Sequence, residues 1–115
     1  MKYLIVYLSH KNLSLMANDP ISKRLLWFLF AGSRGGLNRI KIVSVIRETP
    51  LNANQLAKEL GLDYKAIQHH IRVLEKNNII TRTGEKYGVT YFISTFLEVN
   101  MKSFDEIVQK LGKSK

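Results

Sequence analysis

Residues 63–76, DYKAIQHHIRVLEK, gather side chains that can move protons, coordinate metals or grip anions: two adjacent histidines with a tyrosine, two lysines, a glutamine and an arginine. Neighbours on a helix point about 100° apart, so His69 and His70 cannot close on one metal ion, and the i, i+4 spacing that chelates well is missing. His10 is too distant along the chain to be placed beside them. No cysteine occurs in the 115 residues, which removes thiolate metal sites, disulfides and cysteine catalysis together. No spacing sets a nucleophile, a base and an orienting group to converge. Neither an enzyme nor a metal or cofactor site is therefore expected.

Helical periodicity divides the stretch into two faces. Ile67, Ile71 and Leu74 fall at i, i+4 and i+7 and face inward, which turns Tyr64, Lys65, Gln68, His69 and Arg72 outward. These are the side-chain types that read nucleic acid. Gln68 can bond adenine bidentately, Lys65 and Arg72 can reach guanine or phosphate, and His69 can donate or accept. Tyr64 can meet thymine methyls or a phosphate. A solvated polar face, which every surface helix has, is the plainer alternative. His70 adjoins the inward residues and is expected to make a structural hydrogen bond at the border of the core.

The elements that must position this face follow from local signals. Asp63 is the expected N-cap of the 63–77 helix. Before it, PLNANQLAKELG reads as a short helix: Asn52 and Gln55 have capping-box spacing, Leu56, Ala57 and Leu60 point inward, and Gly61 ends it. LNRIKIVSVIRET carries apolar residues at 37, 40, 42, 43, 45 and 46, enough for a helix buried on a wide face and stopped by Pro50. After the central helix, IITRT and VTYFIS flank the charged turn GEKYG, which reads as a β-hairpin. Upstream, KYLIVYL has strand composition. NDPISKRLLWFLFAG predicts a helix with Asp19 as N-cap, Pro20 at the first position and an apolar stripe of Ile21, Leu25, Phe28 and Leu29. Downstream, Leu97, Met101, Phe104, Val108 and Leu111 form an a/d seam over about two heptads, which fits either packing on the same domain or a dimer contact.

Helix, short helix, sharp turn, longer helix and hairpin is the order of a winged helix-turn-helix. The expected fold is thus α+β: a three-helix core with a β-hairpin wing over 34–95, an N-terminal strand-and-helix extension over 1–33, and a C-terminal dimerisation helix over 96–115. A helix about 10–12 Å wide held proud of the surface enters a major groove roughly 12 Å wide. The segment LAKELGLDYKAIQHHIRVLEKNNII, with the wing-like GEKYGVTYFIS, resembles the ArsR-like winged-helix transcriptional regulators over about residues 37–95. That resemblance implies a homodimeric regulator that binds double-stranded DNA, and the absence of cysteine fits a reducing cytoplasm. The thiolate metal sites of such regulators have no counterpart here, and the terminal helix offers only Glu98, Asp105 and Glu106. The resemblance therefore points to the metal-independent archaeal or viral type.

On the wing, spanning 82–90, Lys86 at the tip is the first candidate for a backbone or minor-groove contact; Arg82 and Tyr87 follow, and Glu85 opposes phosphate. Arg34 and Arg39 lie at a helix start where phosphates bind readily, or are plain surface charges. The formal charge of +9 favours a polyanion as partner. The excess is uneven, with eight Lys/Arg against two acids in residues 1–48 and six against four in 49–95. MKYLIVYL lacks a small-residue cleavage site and is not read as a signal peptide. The longest apolar runs fall far short of the roughly 20 residues that span a membrane. Two rivals remain: a winged helix used to bind protein, and attachment to an anionic membrane surface through KRLLWFLF.

Overall fold

The computed structural model describes residues 17–84 and 88–113. The strand expected within residues 2–8 and the hairpin tip, with Glu85, Lys86 and Tyr87, lie outside the described residues. The elements are α1 (Pro20–Phe30), α2 (Gly36–Glu48), α3 (Ala53–Leu60), α4 (Tyr64–Lys76), β1 (Ile80–Thr83), β2 (Thr90–Ile93), α5 (Thr95–Val99) and α6 (Met101–Lys113). β1 and β2 pair antiparallel, with Ile80 opposite Ile93 and Thr83 opposite Thr90. This is a winged helix-turn-helix with flanking helices at both ends.

Local chemistry explains most boundaries. Asp19 caps α1 by accepting the Ser22 amide at 2.7 Å. In α3 the capping box closes in both directions, at 2.8 Å from the Gln55 amide to Asn52 and 2.9 Å from the Asn52 amide to Gln55. Gly61 ends α3 in the left-handed region, with φ 63°, where a glycine carries no Cβ penalty. Asp63 holds the N-cap position of α4, but its side chain makes no capping bond. The turn is held instead by the Leu62 amide bonding the Ala57 carbonyl at 3.1 Å.

Two expectations about the flanking helices need correction. The stripe of α1 is rotated: Ser22, Leu26, Leu29 and Phe30 are buried, while Ile21 and Phe28 are 68% and 59% exposed. This helix is apolar on nearly every side, so spacing admits several stripes, and packing on α2 and α6 selects one. The single terminal helix is divided at Asn100, which is fully buried. Its amide nitrogen donates to the Phe96 carbonyl at 2.9 Å, and its Oδ1 accepts the Asn18 amide at 2.7 Å. Asn18, at φ 58°, in turn accepts from the amide and hydroxyl of Ser103. An asparagine clasp thus ties the chain entering α1 to the break between α5 and α6.

The a/d seam therefore does not run as one exposed dimer stripe. Leu97 and Phe104 are 0% and 1% exposed within the protomer, and Phe104 meets Phe30 edge-on with ring centroids 5.0 Å apart. Met101, Val108 and Leu111 are only partly buried and pack at the margin of the same core. That core runs from Leu26 and Phe30 through Ile42, Leu56, Ile67 and Leu74 to Phe104, so α1 shares it with the helix-turn-helix. Arg47 of α2 and Asp105 of α6 add a two-pronged surface ion pair at 2.8 and 3.3 Å.

Candidate nucleic-acid interface

The inner face of α4 is apolar: Ile67 and Leu74 are fully buried and Ile71 is 3% exposed. Burying these three against Leu56 and the rest of the core contributes roughly 1.5–3 kcal/mol each and fixes the helix about its axis. The opposite face is thereby presented to solvent. Tyr64, Lys65, His69 and Arg72 are exposed and Gln68 is half-buried. Gln68 and Arg72 line a cleft with Tyr64, Arg82 and Tyr91, between α4 and the root of the hairpin. The five residues expected on the outward face all lie there. The side chains of Lys65, Gln68 and Arg72 make no hydrogen bond or ion pair with another described residue.

The two histidines separate as their spacing implies. His69 is exposed, while His70 is 6% exposed and its Nδ1 lies 3.3 Å from the Arg39 guanidinium. An arginine can only donate, so Nδ1 is the acceptor and the proton of the neutral ring sits on Nε2. Burial first, then Arg39 and His69, push the His70 pKa below its ordinary 6.5.

Arg39 corrects another expectation. It is 3% exposed and belongs to the interior, out of reach of phosphate. Its Nε donates to the Leu29 carbonyl at 3.0 Å and its Nη2 to the Arg34 carbonyl at 3.2 Å and the Ser33 hydroxyl. The Leu29 carbonyl belongs to the last turn of α1, where orphan acceptors and the negative end of the helix dipole favour a cation. Burial lowers the Arg39 pKa from the usual guanidinium range. One side chain of α2 thereby caps α1 and braces α4 from behind. Periodicity contained the signal, because position 39 precedes Ile42, Val43 and Ile46 on the buried stripe of α2.

On the hairpin, Arg82 is engaged as well. Its Nε and Nη2 meet the two carboxylate oxygens of Glu75 at 2.7 and 2.6 Å, and its guanidinium lies 5.7 Å from the Tyr91 ring centre. The hydrogen bonds to Glu75, and then its charge, raise the Arg82 pKa further above its ordinary value. Tyr91 is seated by its amide, which donates to the Leu51 carbonyl at 2.9 Å, an extra bridge that short-range patterns in the sequence do not announce. The neck of the hairpin is tight: a Cβ on Gly84, at φ +90°, would lie 2.5 Å from the Gly88 carbonyl oxygen. Among the described residues no group of three or more His, Asp or Glu side chains is placed to hold a metal ion. No described helix is long and apolar enough to cross a membrane.

Residues 38–82 match the family model of the bacterial regulatory proteins of the arsR family. No curated protein sequence matches the chain. Among solved structures, the transcriptional regulator HlyU from Vibrio vulnificus CMCP6 superimposes with a TM-score of 0.59 at 20% identity, over 87% of this chain and 97% of that one. The oxidized form of MarR from E. coli gives 0.58 at 22% identity, over 90% and 77%. At such identities the shared property is the fold.

Proposed function

We propose that this chain, whose residues 38–82 form an arsR-type helix-turn-helix, is a sequence-specific regulator of transcription that binds double-stranded DNA through α4. The observation that carries this reading is the contrast between engaged and available cations. Arg39, Arg47 and Arg82 are all held by partners within the protein, whereas Lys65 and Arg72 stand with Gln68 on the outward face of α4. Tyr64, Lys65, Gln68, His69 and Arg72 lie along the major groove, with bases read by Gln68 and Arg72. The wing, through Lys86 and Tyr87, follows the backbone or the minor groove, while Arg82 at its root stays on Glu75.

The binding unit in this reading is a homodimer. Ile21, Trp27 and Phe28 of α1 are 68%, 45% and 59% exposed, a concentration of apolar surface that a second copy would cover. Of the terminal seam, Met101, Val108 and Leu111 keep partly exposed surface to join it. Two recognition helices then lie about one DNA turn, roughly 34 Å, apart on a near-palindromic site.

The test is a salt-titrated binding assay on random duplex DNA with selection of the bound sequences. Gln68→Ala and Arg72→Ala are expected to relax sequence preference by about 1–3 kcal/mol each. Lys86→Ala is expected to weaken all sequences alike and reduce the salt slope by about 1. Undiminished preference in both α4 variants contradicts this docking mode, and no binding at low salt favours a protein partner instead. Lys23 and Arg24 beside the exposed α1 residues also suit an anionic membrane surface. Vesicle binding that Phe28→Ser abolishes would favour that second reading.

A further inference from the structure

Gln68, Arg72 and Glu75 are spaced i, i+4 and i+7, so a carboxylate closes the row of polar side chains on the outward side of α4. Its partner is Arg82 on β1 of the hairpin. Arg82 lines the same cleft as Gln68 and Arg72, and both its Nε and its Nη2 are taken up by Glu75. The side chains of Arg82 and Glu75 remain 53% and 21% exposed, so the pair sits at the surface and within reach of an arriving polyanion. Its seat is fixed on the other side by Tyr91, which is 7% exposed and anchored to Leu51.

We propose that Glu75 is a specificity-determining residue of the interface, an internal competitor for phosphate that keeps Arg82 from contributing to nonspecific DNA binding. This rests on the DNA-binding reading above. Nonspecific affinity comes almost entirely from cations that neutralise phosphates and release counterions. A guanidinium held on both carboxylate oxygens releases none, because its charge is already matched in a two-pronged geometry that a phosphate can only equal. Base contacts by Gln68 and Arg72 do not pass through this pair and keep their strength. Removing one phosphate contact from every site while sparing the base contacts raises the ratio of specific to nonspecific affinity.

The experiment compares wild type, Glu75→Gln and the double variant Glu75→Gln/Arg82→Gln on a selected duplex and on a random-sequence duplex, across a salt titration. Glu75→Gln is expected to steepen the random-duplex slope of log affinity against log salt by about 0.9. It should also tighten that binding several-fold at low salt and lower the specific-to-random ratio. The double variant, with the same net charge as wild type, is expected to restore both. An unchanged slope in Glu75→Gln overturns the proposal. So does a double variant shallower than wild type by about 0.9, since Arg82 would then already sit on phosphate. Thermal midpoints of the three proteins separate these outcomes from misfolding: restored binding in the double variant shows that losing the pair leaves the fold intact. A wild type that binds no duplex at any salt refutes the DNA-binding reading itself, whereas a wild type that binds with the wrong order of slopes refutes this inference alone.

Discussion

Acid is expected to loosen this protein through His70, and the size of the effect can be worked out. The ring is 6% exposed, and its Nδ1 accepts from the Arg39 guanidinium at 3.3 Å. Protonation would set two cations side by side in the interior, so the native pKa lies below the ordinary 6.5, with burial as the main cause. The unfolded chain takes up the proton first as the pH falls. The stabilisation from neutral His70 is therefore complete above about pH 6.5 and is lost as the pH drops toward and through the lowered native value. One such group changes stability by at most about 1.4 kcal/mol per pH unit. From pH 7.5 to 5.5 the loss is at most about 1.4 kcal/mol, because the unfolded ring is on average half protonated over an interval centred on its ordinary pKa. With a urea m-value of about 1–3 kcal/mol/M, the denaturation midpoint should move by at most roughly 0.5–1.4 M. His70→Gln supplies the reference, because its amide oxygen can accept from Arg39 yet does not titrate. Urea curves of both proteins at the two pH values isolate the histidine, since every other titration subtracts. Equal midpoint shifts in wild type and His70→Gln would refute the argument and show that Arg39 and His70 are not coupled as the geometry requires.

Leu97→Ala and Phe104→Ala should destabilise the protomer by about 2–5 and 3–5 kcal/mol, measured by denaturation, because both side chains lie in its core. Phe28→Ser, at a side chain 59% exposed, should cost the protomer little, within about 0.5 kcal/mol of wild type, while shifting the sedimentation profile toward monomer. Asn100→Ala takes the acceptor from the Asn18 amide while the Phe96 carbonyl keeps the Asn100 backbone amide at 3.2 Å, so a loss of about 1–3 kcal/mol in thermal or urea stability is expected from the one group left unsatisfied. Gly61→Ala meets nothing within 4 Å, so its cost should be only the left-handed strain, about 1 kcal/mol, and Gly61→Asn should cost less; urea midpoints of both variants check the order.

The interface and the flanks differed in how far they could be read in advance. The α4 face was legible because Ile67, Ile71 and Leu74 are the apolar residues at helical spacing in a helix that is otherwise mostly polar, which leaves one way to orient it. In α1 the letters ISKRLLWFLF offer competing stripes, and spacing alone does not show that Phe28 points out and Leu26 in. For Arg39 the sequence offers a phosphate contact or a plain surface charge, both outside the core, since burial of an unpaired cation is costly and rare. The carbonyls of residues 29 and 34 that make it tolerable come from another helix and a loop. The Glu75–Arg82 pair joins residues seven apart across a helix end and a turn, where no fixed periodicity applies.

By itself the sequence determined the order of the elements, the helix-turn-helix with its hairpin, and the face of α4 that looks outward. Those rest on interactions within a few residues: the capping box of Asn52 and Gln55, the left-handed glycine at 61, and the alternation of apolar and polar positions. Only the tertiary structure decided which face of α1 is buried, where the terminal helix breaks, and which arginines are left available. Each of those outcomes depends on partners far along the chain: Phe104 against Phe30, Asn18 on Asn100, Leu29 on Arg39. A cation is available for DNA only if no acceptor reaches it in the folded state, and that is a property of three-dimensional proximity that local pattern cannot encode.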